Sequence, residues 1–129
     1  MVTEPDDRPL VLVVDDFEDA RDMYAECLGA CGFRVAQAGT GEEAVETTRR
    51  LHPSVVVMDL SLPGLDGWAA TRAIKADPAT ANTTVIALTG LAQASAATAA
   101  REAGCDAFLT KPCLPDDIVD VIRKFLAGA

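Results

Sequence analysis

Five polar side chains in this sequence each follow a short apolar run, at the point where a strand of a parallel sheet would end. They are Asp15, Asp16, Asp59, Thr89 and Lys111. A carboxylate can attack phosphorus and form an acyl phosphate, and an ammonium group and a hydroxyl can bind the phosphoryl oxygens. Three neighbouring carboxylates repel one another unless a cation lies among them. These side chains therefore predict phosphoryl transfer to a carboxylate with the help of a divalent cation.

Asp59 is the candidate nucleophile. It ends the run Val55–Met58, which is apolar without alternation, as in a central strand that is covered on both faces. Its carboxylate and that of Asp16 are expected to ligate the cation directly, and that of Asp15 through a bound water. Oxygen ligands with room for waters favour Mg²⁺, with Mn²⁺ as an alternative, over zinc or copper.

The other polar groups would complete the site. The backbone carbonyl of Ser61 is expected to ligate the cation, Lys111 to neutralise the phosphoryl group, and Thr89 to donate a hydrogen bond to a phosphoryl oxygen. Each residue alone has an ordinary explanation, because acids are common in turns and at helix starts and lysines are common on surfaces. Their joint placement at the ends of alternate elements favours the functional interpretation.

The elements that must position these residues alternate between strands and helices. Strands are predicted at Leu10–Val14, Phe33–Ala38, Val55–Asp59, Val85–Leu88 and Ala107–Thr110. Helices are predicted before Gly32, over Gly41–Leu51, over about 66–76, over Ala92–Ala103, and from Pro115 to Leu126. This pattern predicts an α/β fold of the flavodoxin-like (βα)5 type, with a five-stranded parallel sheet in the order 2-1-3-4-5. Strands one and three then flank the switch point where ligands bind, so the three acids should converge there.

Local signals set the ends of these elements. Residues 1–9 form a polar, proline-containing lead-in, and residues 10–127 are predicted to be one domain. Thr40 is placed to cap the second helix, with Glu43 three residues later as in a capping box. The alanine-rich helix that Gly104 ends has few large apolar side chains, so we expect it to be the most loosely packed.

Composition narrows the class of protein. The chain has 129 residues and a formal net charge of −9, which disfavours direct binding to nucleic acid. The apolar runs are too short to span a bilayer, and the first residues carry no signal-peptide pattern. We therefore expect a cytoplasmic protein that does not insert into membranes.

The cysteines and the one histidine show no metal-binding pattern. The cysteines are Cys27, Cys31, Cys105 and Cys113. They form no CxxC motif and have no accompanying pair of histidines, so a zinc site is not expected. We interpret them as small buried hydrophobic side chains in a reducing compartment. His52 precedes Pro53 and is interpreted as an ordinary loop residue.

Four motifs in the chain resemble the receiver domains of two-component response regulators, including the chemotaxis regulators. They are VLVVDD at Val11–Asp16, VVVMDLSLPGLDG at Val55–Gly67, ALTG at Ala87–Gly90 and AGCDAFLTKP at Ala103–Pro112. The resemblance extends from Leu10 to about Leu126 and is specific because the motifs occur together. It implies that Asp59 receives a phosphoryl group from a phosphohistidine on a sensor histidine kinase or a histidine phosphotransfer protein.

The resemblance also implies how the signal would leave the domain. Thr89 would move toward the phosphoryl group, and the Lys111–Pro112 peptide bond would be cis. The aromatic side chain of Phe108 would turn inward; the alternative is that Phe108 is simply a core residue. The output surface would span Gly90–Phe125, where a downstream protein target, an output domain or a second copy in a homodimer could bind. Such a protein is a signalling switch rather than an enzyme, and only its own phosphorylation and dephosphorylation are chemical steps.

The sequence disfavours three other classes of protein. A phosphorylation-independent pseudo-receiver is disfavoured by the complete set of site residues. A Mg²⁺-dependent aspartyl-phosphate phosphatase would need a second acid two residues after the nucleophile, where this chain has Ser61. A flavin- or nucleotide-binding domain would need a phosphate-binding loop after the first strand, where this chain has acids.

Overall fold

Strands and helices alternate along the chain, in the order that the sequence pattern predicts. The computed structural model describes residues 8–59, 67–89, 98, 101–110 and 114–127, without the side chain of Thr89. The strands are β1 (Leu10–Val14), β2 (Arg34–Ala38), β3 (Val55–Asp59), β4 (Thr84–Thr89) and β5 (Ala107–Thr110). The helices with defined bounds are α1 (Glu18–Ala30), α2 (Gly41–Leu51), α3 (Gly67–Ala76) and the C-terminal helix (Pro115–Ala127). Residues 98 and 101–103 are helical as well.

The five strands form one parallel sheet in the order β2-β1-β3-β4-β5. This confirms the predicted α/β fold and strand order. In the register between the two central strands, Val14 pairs with Met58. The residues that follow this pair are both acids, Asp15 after Val14 and Asp59 after Met58. They therefore lie side by side at the carboxyl edge of the sheet.

Alternate residues of the strands build two hydrophobic clusters, one on each face of the sheet. The cluster under α2 and α3 contains, among others, Leu12, Val14, Val56, Met58, Val85, Ala87, Ala44, Val45, Ala70 and Ile74. The cluster under α1 and the C-terminal helix contains, among others, Val11, Val13, Val55, Val57, Ile86, Leu88, Tyr24, Leu28, Ile118 and Ile122. Because side chains of a strand alternate between faces, a run such as that of β3 must be apolar throughout. All five residues of β3 are buried.

The helix ends follow the local signals. The Oγ1 atom of Thr40 accepts a hydrogen bond from the backbone N–H of Glu43 at 3.1 Å, which confirms the predicted cap of α2. His52 lies in the connection after α2, as predicted, and forms the C-cap of that helix in the left-handed conformation with φ 48°. Gly32 follows α1 with φ 97°, a conformation that glycine adopts without steric cost.

The structure differs from the predictions in detail. β2 begins at Arg34 rather than Phe33, and β4 extends over Thr84 and Thr89 because both pair with neighbouring strands. The three cysteines among the described residues are free thiols of intermediate exposure. Cys105 and Cys31 pack, partly buried, against the two hydrophobic clusters, so the predicted burial is only partial. Most of the alanine-rich helix lies outside the described residues, and its packing stays a prediction. In the part of the chain that the structure describes, no helix combines the length and apolarity that a membrane span requires.

Candidate functional site

An acidic cluster lies at the carboxyl edge of β1 and β3. Asp15, Asp16 and Asp59 each place one carboxylate oxygen within 4.8 Å of the others. Asp15 is 2% exposed and Asp59 is 5% exposed, whereas Asp16 is exposed. The cluster thus has two carboxylates in the protein interior and one that faces solvent.

The end of β1 and the start of α1 hold Asp15 in place. Its N–H donates to the carbonyl of Ala38 at 3.1 Å, which continues the pairing with β2 by one residue. Its Oδ1 atom accepts a hydrogen bond from the N–H of Phe17 at 2.9 Å, directly before the first residue of α1. A short acidic side chain that binds the backbone two residues later is typical of such turns. The strand end, the acid and the helix start therefore form one unit.

Arg21 also contacts this unit, and the sequence analysis did not identify it. Its Nη1 atom donates to the carbonyl of Asp15 at 3.1 Å, and its Nε atom donates to Oε1 of Gln37 at 3.1 Å. Side chains of a helix lean toward its N-terminus, so an arginine in the first turns of α1 points back toward the strand ends. The spacing of Arg21, six residues after Asp15 and on the helix that follows it, is the sequence signal that could have identified this contact.

The donor set of the cluster fits a hard divalent cation. Carboxylate oxygens are the ligands that Mg²⁺ and Mn²⁺ prefer, and three of them within 4.8 Å repel one another at neutral pH. An exposed acid beside two buried ones leaves a solvent side from which the waters that Mg²⁺ retains can bind. Asp15, Asp16 and Asp59 are the residues that could hold the cation.

Thr89 is the last residue of β4, at the same edge of the sheet. Asp59 pairs with Leu88, the residue before it, and Thr89 itself pairs with Thr110 of β5. The hydroxyl of Thr89 lies outside the described structure, as do Ser61, Lys111 and Pro112. Their predicted roles, and the cis peptide bond at Lys111–Pro112, stay predictions.

Phe108 lies in β5 and packs, partly buried, against the cluster under α2 and α3. A cavity of about 240 Å³ beside it is lined, among the described residues, by Arg101, Cys105, Asp106, Ala107 and Phe108. Burial raises the pKa of the Cys105 thiol, and a hydrogen bond with Thr71 opposes this only in part. The thiol is therefore protonated at neutral pH, and we assign it no nucleophilic role.

Comparison with known proteins agrees with this arrangement. Residues 11–123 match the family model of the response regulator receiver domain. The chain is 29% identical to the polar-differentiation response regulator DivK of Brucella ovis over 119 residues, which cover 92% of this chain and 97% of DivK.

Solved structures have the same fold. The receiver domain of a Pseudomonas aeruginosa sensor histidine kinase, with a magnesium ion coordinated in its active-site cleft, superposes with a TM-score of 0.86 at 28% identity, over 93% of this chain and 98% of that one. The chemotaxis protein CheY4 of Vibrio cholerae superposes with a TM-score of 0.86 at 23% identity, over 91% of this chain and 98% of that one. The chain therefore belongs to the response regulator receiver domain family of two-component signalling.

Proposed function

We propose that this protein is a phosphorylation-controlled signalling switch whose phosphoryl acceptor is Asp59. The observation that carries the proposal is the cluster of three carboxylates, within 4.8 Å of one another, at the carboxyl edge of the two central strands. No purely structural role requires three like charges there, because their repulsion destabilises the folded state. A cation and a phosphoryl group account for all three.

Asp59 is the best placed of the three acids to act as the nucleophile. Asp15 uses Oδ1 to hold the start of α1, and Asp16 is exposed, where water competes for it. Asp59 is 5% exposed and belongs to β3, whose residues are all buried, so packing on both faces of the sheet fixes its position. A fixed and largely desolvated carboxylate suits in-line attack on phosphorus.

The proposed reaction transfers a phosphoryl group from an imidazole nitrogen of the donor to a carboxylate oxygen of Asp59. An oxygen of Asp59 forms a bond to phosphorus while the bond between phosphorus and the donor's imidazole nitrogen breaks, and the imidazole leaves with a proton from solvent. Mg²⁺, when held by Asp16 and Asp59, with Asp15 acting through water, supplies positive charge to the phosphoryl oxygens. In the proposal, the carbonyl of Ser61 completes the ligand set. Lys111 and Thr89 bind the phosphoryl oxygens.

The donor would be a phosphohistidine on a sensor histidine kinase or a histidine phosphotransfer protein. Two large apolar side chains support a protein donor, because Phe17 is 63% exposed next to Asp16 and Leu114 is 68% exposed before the C-terminal helix. Both follow strands at their carboxyl ends, so a docked protein could cover them while it presents its histidine to Asp59. Partly exposed free thiols support a reducing, cytoplasmic location.

The response would pass from the site to residues 90–125. In the proposal, Thr89 moves toward the phosphoryl group and Phe108 turns inward, which changes the surface offered to a downstream protein, an output domain or a second copy. The cavity beside Phe108 supports this role because it is open space that the residue lines. Residues 10–127 would be the unit that carries the function.

The proposal is tested by intact-mass measurement after incubation with acetyl phosphate and Mg²⁺. We expect the wild type to gain one phosphoryl group, about 80 Da for a covalent phosphorylation. The gain should disappear in Asp59→Asn and when EDTA removes the cation. Asp120→Asn, which removes an exposed acid from the C-terminal helix, is the matched control and should be phosphorylated like the wild type.

Two results would contradict the proposal. Phosphorylation that persists in Asp59→Asn would place the acceptor elsewhere. A wild type that stays unmodified by acetyl phosphate, and by a phosphorylated histidine phosphotransfer protein, would indicate a receiver that acts by binding alone.

A further inference from the structure

Arg21 connects three elements beside the acidic cluster. It lies on α1, donates from Nη1 to the carbonyl of Asp15 after β1, and donates from Nε to the side chain of Gln37 in β2. Both distances are 3.1 Å. Because the guanidinium group is planar and rigid, two acceptors in different directions fix its orientation.

The carbonyl that Arg21 binds belongs to the peptide unit between Asp15 and Asp16. A peptide unit is planar, so holding its oxygen sets the direction in which the chain continues to Asp16. The N–H of Asp15 is held by Ala38 and its carboxylate by Phe17. The contact with Arg21 therefore fixes the remaining backbone group of Asp15, and with it the position of Asp16 relative to Asp15.

Gly39 leaves the space that the guanidinium group occupies. A Cβ atom built on Gly39 would lie 2.9 Å from Nη1 and 3.9 Å from Cζ of Arg21. Apart from Gly39 and its two chain neighbours, no other heavy atom of the described residues lies within 4 Å of that position, and the φ angle of Gly39 is outside the left-handed region. An alanine here would therefore displace the Arg21 side chain without straining its own backbone.

We propose that Arg21 is a positioning residue for the divalent-cation site. It acts through the Asp15 carbonyl to set the spacing of the Asp15 and Asp16 carboxylates, and so sets the affinity for Mg²⁺. This inference rests on the proposed function. Groups that orient metal ligands from the outer shell change metal affinity by about 10- to 100-fold, and because Arg21 holds backbone rather than a carboxylate we expect about tenfold.

The choice of variant matters because charge and position act in opposite directions. Deleting the guanidinium group removes a positive charge near three carboxylates, which by itself would strengthen cation binding. Gly39→Ala avoids this problem, since it displaces the side chain and keeps every charge. Arg21→Lys also keeps the charge but loses the planar group that reaches both Asp15 and Gln37.

The experiment is calorimetric titration of the full chain with Mg²⁺, with the melting temperature of each metal-free variant measured beside it. We expect Gly39→Ala and Arg21→Lys to bind Mg²⁺ about tenfold more weakly than the wild type. Arg34→Ala is the matched control, because Arg34 donates from Nε to the carbonyl of Arg8 at 2.8 Å from the opposite end of β2. It should leave Mg²⁺ affinity unchanged even if it lowers the melting temperature.

A double mutant shows whether Gly39 acts through Arg21. Adding Gly39→Ala to Arg21→Ala should change Mg²⁺ affinity little, since the displaced group is already missing. An equal loss of affinity in both backgrounds would overturn the inference, as would wild-type affinity in both Gly39→Ala and Arg21→Lys. A wild type that binds no Mg²⁺ would overturn the cation site of the proposed function as well.

Discussion

Asp77 shows how one carboxylate can stabilise a junction between helices. It follows α3, where Oδ1 accepts the N–H of Ala79 at 2.9 Å and Oδ2 accepts Nε of Arg49, near the end of α2, at 3.0 Å. The N–H of Ala79 is the main cause that lowers the pKa of Asp77, Arg49 adds to it, and partial desolvation opposes both. The charged form of this side chain therefore stabilises the folded state.

We expect Asp77→Asn to remove a pH-dependent part of the stability. A carboxyl with a lowered pKa in the folded state contributes stability above its unfolded pKa, about 3.9, and loses it as the pH falls through the lower folded value. The difference in the free energy of unfolding between wild type and variant should thus be constant near neutral pH and shrink below about pH 4. Urea denaturation at a series of pH values measures it.

A double-mutant cycle with Arg49→Gln adds a control. The coupling energy between the two positions should vanish in acid, where Asp77 is protonated and Arg49 keeps its charge. Coupling of the same size at all pH values would contradict the assignment.

Asp106, directly before β5, forms hydrogen bonds to β4 and α3. Its Oδ2 atom accepts hydrogen bonds from the N–H of Val85 and from Nζ of Lys75, both at 2.8 Å. Lys75 also donates to the carbonyl of Thr83 at 2.7 Å. These contacts lie at the amino edge of the sheet, opposite the acidic cluster.

We expect Asp106→Ala to destabilise the fold by about 1–3 kcal/mol, because the buried N–H of Val85 would lose its carboxylate acceptor and the Lys75 ammonium would lose one of its acceptors. Asp106→Asn keeps an acceptor for Val85 and should cost less. Denaturant unfolding measures both variants, and Mg²⁺ affinity should be unchanged in each. A loss of Mg²⁺ affinity would show that the two edges of the sheet are coupled.

The elements differ in how well the sequence predicts them. The bounds of β1, β5 and α2 agree with the prediction because each has a continuous apolar run or a cap that acts locally. The ends of β4 were missed because Thr84 and Thr89 are polar and join the strand only through their partners. The acids were found because they follow strands directly.

Contacts between distant segments were not predictable. Arg21 meets Gln37 across 16 residues, and Lys75 meets Asp106 across 31 residues. Such pairs depend on where tertiary packing places two surfaces, and no short-range pattern encodes that. Residues that position a site through long-range contacts are therefore harder to predict from sequence than the residues that form the site.

At the scale of the whole molecule, the acidic cluster adds to a formal net charge of −9. Without a cation, we expect Asp59→Asn to raise the free energy of unfolding by roughly 1–2 kcal/mol, because it removes one of three close like charges. With Mg²⁺ at about ten times its dissociation constant, the wild type should gain about 1.4 kcal/mol and the variant much less.

The control for this prediction is Asp120→Asn, which changes the net charge equally but removes an acid from the exposed face of the C-terminal helix. It should respond to Mg²⁺ like the wild type. Thermal denaturation with and without Mg²⁺ measures all three proteins. An equal response to Mg²⁺ in Asp59→Asn would exclude Asp59 from the cation site.

The sheet separates the interior into two clusters, and this affects how the core can vary in evolution. Leu12 and Val13 are adjacent in the chain, yet they belong to opposite clusters. A change of volume at one is therefore compensated by neighbours on its own face, and substitutions on opposite faces should be nearly independent. Substitutions can therefore accumulate in one cluster without compensating changes in the other. That independence is one route by which a chain only 29% identical to DivK can retain the family's fold.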